Sequence, residues 1–208
     1  MGPSVRSAIS PPFRATSYNE IVLSCFTPGT AIATPRGERA VEELRIGDRV
    51  VTRDNGLQMI GWTGQRALDH ATLAANAHLR PVLLTQGCLG MGLPERDMLV
   101  SPNHRFLVAN SRTMLPVAAH EALVAAKHLI DSRTIREVSA LGVSYVHFTC
   151  ARHEVVLANG AWAESFHPRD LTLNGMGNAQ RTELYEIFPE LAEAGSRSLE
   201  APVGVTRH

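Results

Sequence analysis

The apolar residues of this chain are parcelled into short runs, and that parcelling limits the folds open to it. Each run is closed within a few residues by Gly, Pro, Asn or Asp, and the longest, Ala122–Ala126, holds only five residues. A helix spanning a bilayer needs about 20 apolar residues in succession, so the sequence offers no such span and predicts no membrane partner. Two of the breaks are Asn-Gly pairs. Asn55-Gly56 separates Val50-Val51-Thr52 from Met59-Ile60-Gly61-Trp62, and Asn159-Gly160 separates Glu154–Leu157 from Ala161–Phe166. Both residues of such a pair tolerate positive φ, which two-residue hairpin turns demand, so each pair predicts two antiparallel strands. Thr30–Thr34 runs into Pro35-Arg36-Gly37-Glu38, a further hairpin turn, and short strands are expected at Val82–Thr85, Met98–Val100, Phe106–Val108 and Tyr145–Thr149. Strands this short, spaced this regularly by turns, specify an all-β domain rather than βαβ units.

The chain has 208 residues, of which 44% are hydrophobic and 19% charged, enough for one domain with its own core plus flanks. Residues 1–24 read as a flexible leader, 25–167 as the β-rich body and 168–208 as a tail. In that tail Leu184, Ile187, Phe188 and Leu191 fall at helical spacing, which predicts a short helix packed on the body. Within the body, the Ala-, Leu- and Glu-rich segment Val117–Lys127 is expected to be helical. Twenty Lys and Arg balance twenty Asp and Glu, so the net charge carries no footprint for nucleic acid or an anionic surface. The three cysteines, Cys25, Cys88 and Cys150, are odd in number, widely spaced and outside any C-x-x-C pair. They predict neither a disulfide framework nor a zinc knuckle. The first 24 residues lack the apolar stretch of a secretory signal, so the expected compartment is the cytoplasm, secretion by another route aside. No cofactor or resident metal is expected.

Chemistry concentrates in three segments. The first is Cys25-Phe26-Thr27-Pro28-Gly29-Thr30, followed by Ile32, Thr34-Pro35, Val41-Glu42-Glu43-Leu44 and Gly47-Asp48. The second is Ser101-Pro102-Asn103-His104. The third holds Tyr145 and His147, then His153 through Gly160, and closes on Glu164-Ser165-Phe166. In this order they resemble the Hint domain shared by hedgehog autoprocessing domains and inteins, and most of all its bacterial hedgehog/intein-like branch. The resemblance spans roughly Cys25 to Phe166 and implies a β-rich, horseshoe-like body with one or two short helices.

It also implies a reaction. A cysteine thiol is a strong nucleophile even though only a few per cent is thiolate at neutral pH. Cys25 can attack the carbonyl of Ser24 through a five-membered ring, and that intramolecular geometry lowers the barrier by several kcal/mol. The ring collapses to a thioester once the amide nitrogen leaves with a proton, a task suited to a histidine. In the family a Thr-x-x-His motif supplies that group beside the scissile amide; the matching positions here are Ser101 and His104. His147, or Val146 beside it, stands near the family's Asp position, and His153 matches its later histidine with one extra residue in the spacer. His147 is the candidate to assist attack on the thioester.

The matching end of the body departs from inteins. They finish on His-Asn, whereas here Glu164 and Ser165 stand at those positions, and serine has no side-chain amide to cyclise. The expectation is therefore a single-turnover, self-cleaving domain that splits Ser24–Cys25 without splicing. Its substrate would be its own N-terminal segment, and a small nucleophile or an amine would take up the acyl group. Three other readings compete. One is a silent β-domain that binds a partner; another is a metal site drawn from His104, His147, His153 and Cys25. The third is a cysteine protease acting on other chains.

Overall fold

The computed structural model describes residues 24–109 and 121–165. Leader residues 1–23, the helix expected in the tail and the first part of the helix expected at Val117–Lys127 lie outside them. The Asn55-Gly56 hairpin forms, although its loop spans residues 52–56 rather than two and, within it, Gly56 alone takes positive φ. Strands β3 (Arg49–Val51) and β4 (Leu57–Asp69) pair with Arg49 opposite Met59, and Gly56 takes φ +64° while its carbonyl accepts from the Thr52 N–H. Strand β4 then continues well beyond the hairpin, for 13 residues in all. It pairs from Asp69 back to Ile60 with strand β10 (Gly142–Cys150), with one bulge between Thr149 and Cys150. A paired ribbon of this length twists strongly, so its far end departs in direction from its near end.

The second Asn-Gly pair closes β11 (Val155–Ala158) on β12 (Ala161–Glu164), with Asn159 at φ +45° and Gly160 at φ +76°. These two strands lie at the centre of a six-stranded antiparallel sheet. Beside β11 runs β1 (Ala31–Thr34), edged by β2 (Gly37–Ala40); beside β12 run β7 (Arg105–Ala109) and β8 (Glu121–Ala125). A third, smaller sheet orders β6 (Met98–Val100), β5 (Val82–Leu84) and β9 (Ile135–Glu137). The described residues thus form an all-β fold of antiparallel sheets, as their turn pattern predicts.

Strand β8 corrects the helical expectation for Val117–Lys127. Glu121–Ala125 pairs residue for residue with Ala109–Arg105, and only Ala126–His128 makes a short 3-10 turn. Helix propensity differs by a few tenths of a kcal/mol among these residues, and a neighbouring strand that supplies five cross-strand pairs outweighs it. The single α-helix among the described residues is α1 (His70–Ala75), in a stretch with no apolar periodicity to announce it. Asp69 caps it by accepting from the Thr72 N–H at 2.8 Å. No helix among the described residues is long and apolar enough to cross a membrane.

The core lies where the sheets meet and includes Phe26, Ile32, Val50, Phe106, Phe148 and Val156, each no more than 2% exposed. Within it, Phe26 is the residue that fixes the position of its neighbour Cys25. It exchanges backbone hydrogen bonds with Val146 of β10 (2.9 and 2.8 Å) and bridges to Val100 of β6. Its ring stacks on Phe148 and meets the His104 ring edge-on. The Cys25-Phe26 dipeptide is therefore threaded between two sheets, with its backbone held on both sides.

Candidate active site

A turn, the interior of one strand and the end of another deliver the side chains that surround Cys25. After β6 the chain turns through Ser101–His104, with the His104 N–H bonded to the Ser101 carbonyl, and this turn places both side chains against Cys25. On the opposite side β10 carries His147, one residue beyond the Val146 that clasps Phe26. Strand β12 ends in Glu164 next to Ser24.

Each atom of the Ser24–Cys25 peptide that a cleavage would change has a partner. The Cys25 N–H donates to Ser101 Oγ at 3.0 Å. The Cys25 Sγ lies 3.0 Å from His147 Nε2, and the same ring's Nδ1 lies 3.1 Å from the Ser24 carbonyl oxygen. A carbonyl oxygen only accepts, so Nδ1 carries the proton and Nε2 receives the thiol S–H. His104 Nδ1 donates in the same way to the Cys25 carbonyl at 3.0 Å. His104 thus reaches the carbonyl one residue past the scissile amide, and the amide nitrogen itself is held by Ser101. That differs from the contact the Thr-x-x-His resemblance implies for the histidine.

Burial governs the charge state of this group. Cys25 is 1% exposed, and desolvation pushes its thiol far above the ordinary range, which a hydrogen bond with the Ser101 side chain offsets only in part. Desolvation likewise lowers His147 to about 3, against the raising effect of its bond to the Ser24 carbonyl, with His104 lowering it further. His104 is lowered to about 4 by burial, against its bond to Cys25 and the charge of Glu164. At neutral pH the site therefore holds a neutral thiol and two neutral imidazoles. The His104 Nε2 is fully buried and has no hydrogen-bond partner among the described residues. Its ring lies between Phe26 and Phe106, at centroid distances of 4.3 and 5.1 Å.

Glu164 belongs to this neighbourhood, a role that its position in the sequence pattern did not suggest. It is 4% exposed, accepts the Ser24 hydroxyl proton on Oε2 at 3.0 Å, and bonds His153 Nε2 through Oε1 at 2.6 Å. The Arg105 guanidinium approaches the same Oε1 at 3.4 Å. Burial raises the Glu164 pKa, but His153, Arg105 and the Ser24 hydroxyl together outweigh it, and the net direction is downward. His153 thus reaches the site through Glu164. Ser165, at the terminal position of the pattern, is engaged elsewhere: its hydroxyl accepts from the Glu154 N–H at 3.1 Å. Cys88 and Cys150 are buried in the apolar core, Cys150 with its thiol raised to about 12 by desolvation and by the charge of Glu154. Among the described residues no three His, Cys, Asp or Glu side chains group as metal ligands.

The buried Cys25 is thus held at its nitrogen, its carbonyl and its sulfur within an all-β fold of antiparallel sheets. Residues 24–170 match the Hint domain family, and the chain belongs to that family. Its fold is similar to the bacterial intein-like domain of Clostridium thermocellum, at 17% identity over 69% of this chain and 99% of that one, with a TM-score of 0.45. It is also similar to a DnaB intein from Synechocystis sp. PCC 6803, at 12% identity over 69% of this chain and 99% of that one, TM-score 0.43. No curated protein matches the sequence. Membership supports an autoprocessing role in general.

Proposed function

We propose that this domain cleaves its own backbone between Ser24 and Cys25 by an N-to-S acyl shift and does not splice. The observation that carries the proposal is the His147 ring, which touches both the Cys25 sulfur and the Ser24 carbonyl oxygen. As Sγ bonds to the Ser24 carbonyl carbon, its proton passes to His147 Nε2. The carbonyl π pair moves onto oxygen, where the His147 Nδ1–H, now part of an imidazolium, stabilises it. Collapse reforms the carbonyl and breaks the C–N bond. The Cys25 nitrogen takes a proton from the Ser101 hydroxyl beside it, and the proton held by His147 restores that hydroxyl. The net result is a thioester on Cys25 and a free α-amine, with one proton moved from sulfur to nitrogen. Because the thiol is kept protonated by burial, proton loss and S–C bond formation occur together. His104, on the Cys25 carbonyl, fixes the orientation of the departing residue.

Water, a thiol or an amine then attacks the thioester and releases the N-terminal segment. Glu164 and Ser165 support cleavage over splicing, since neither can cyclise as a terminal asparagine does. The complete burial of Cys25 favours a second reading, a silent domain that keeps the fold and only binds. One experiment separates the two: the intact mass of the wild-type chain beside Cys25→Ala, with and without hydroxylamine or dithiothreitol. Loss of residues 1–24 from the wild type alone, faster with added nucleophile, is expected. Full-length mass in every sample would eliminate the cleavage reading, and cleavage in Cys25→Ala would eliminate the thioester.

A further inference from the structure

Beyond the bonds that break and form, the residue in front of the nucleophile is held by its side chain. Ser24 is 2% exposed, and its hydroxyl points at Glu164 Oε2. The other carboxylate oxygen is occupied by His153 at 2.6 Å and Arg105 at 3.4 Å, two donors that hold the group as an anion. An ionised carboxylate accepts hydrogen bonds and donates none. Nothing in the acyl-shift chemistry requires a hydroxyl at position 24, since the mechanism uses only that residue's carbonyl. Yet a buried acidic side chain from a distant strand ends on it.

We infer that Glu164 sets the specificity of the cleavage for the side chain preceding the cysteine, accepting a small hydroxyl donor there and rejecting a carboxylate. This rests on the cleavage reading and names its substrate class: an acyl segment ending in serine. Two anchors then fix the Ser24 residue, its carbonyl on His147 and its hydroxyl on Glu164, so the carbonyl carbon cannot swing away from Sγ. Alanine at position 24 removes one anchor. Aspartate brings a second anion against Glu164 inside a desolvated site, which costs far more than a missing hydrogen bond.

The test follows the full chain, made in a cell-free mixture, by intact mass with hydroxylamine present. The native serine, Ser24→Ala and Ser24→Asp are compared in the wild-type and Glu164→Gln backgrounds. Ser24→Ala is expected to slow cleavage roughly 10- to 100-fold, the rate equivalent of losing a hydrogen bond to a charged acceptor. Ser24→Asp is expected to be slower still. The amide introduced by Glu164→Gln can donate to an aspartate at position 24, so the ratio of the serine rate to the aspartate rate should shrink at least tenfold there, whatever the variant does to the overall rate. A ratio that Glu164→Gln leaves unmoved, or Ser24→Ala cleaving as fast as the native chain, overturns the inference while leaving self-cleavage standing. A wild type that never cleaves overturns the function instead. The contact is then judged in the uncleavable Cys25→Ala chain, from the urea midpoints of Ser24→Ala, Glu164→Gln and both together. Non-additive midpoints support recognition of Ser24 by Glu164; additive ones overturn it.

Discussion

Acid should unfold this domain through two histidines that flank its cysteine. His104 and His147 are buried and neutral, lowered to about 4 and about 3, whereas each titrates near 6.5 in the unfolded chain. Between those values the unfolded state binds more protons than the native state, so stability rises with pH. The two rings thus contribute their full stabilisation above about pH 6.5, and it is lost as pH falls from there toward their folded values. Each histidine removes about 1.4 kcal/mol per pH unit across that window. At pH 5 the pair has cost about 4 kcal/mol relative to pH 7, a large share of the roughly 5–15 kcal/mol that holds a typical domain together. Glu164, lowered by its donors, adds to the loss at still lower pH. The assay is urea denaturation of the Cys25→Ala chain from pH 7.5 to 5, with the slope of stability against pH compared between that chain and one that also carries His147→Gln. Removing one ring should halve the slope contributed by the pair. A stability that stays flat down to pH 5.5 would show that both rings are accessible to protons in the folded state, and burial would not be what keeps them neutral.

Further expectations concern the reaction and the frame that supports it. His147→Ala, which strips both the proton acceptor from sulfur and the donor to the Ser24 carbonyl, should slow cleavage by roughly 10²–10⁴, read by intact mass; an unchanged rate would remove His147 from the mechanism. Asn159 accepts the Ala31 N–H at 2.9 Å while its own φ is positive, so Asn159→Ala leaves a buried donor unpaired. Its cost should be about 2–3 kcal/mol by urea denaturation, and a loss below the error of the measurement would mean that water replaces the amide.

The two Asn-Gly hairpins, the central strands and the nucleophile were legible because each rests on neighbours in sequence. The turns at Asn55-Gly56 and Asn159-Gly160 are announced by residue pairs adjacent in sequence, although in the fold both asparagine side chains also bond distant groups, Asn55 the Glu154 carboxylate and Asn159 the Ala31 N–H. Strand β8 was not legible. Ala122–Ala125 carries helix-forming residues, and its extended form exists only because β7 lies alongside and pairs with it. Helix α1 escaped for the opposite reason: it is six residues long, and its only cue is the short-range cap from Asp69 to Thr72.

The candidate site divides along the same line. Cys25, Ser101, His104, His147 and His153 could be picked out because the order of their segments along the chain resembles the Hint pattern. Which atom each one faces could not. Ser101 on the scissile nitrogen, His104 on the next carbonyl and His147 between sulfur and carbonyl follow from the threading of Phe26 between β6 and β10. Glu164 is the sharpest case: its charge argues against splicing from sequence alone, but its bond to Ser24 spans 140 positions of the chain. Residue type and local turns are properties of a few consecutive residues. The register that brings β12 beside Ser24, and the desolvation that keeps the thiol and both imidazoles neutral, are properties of packed sheets and arise only when the sheets close on one another.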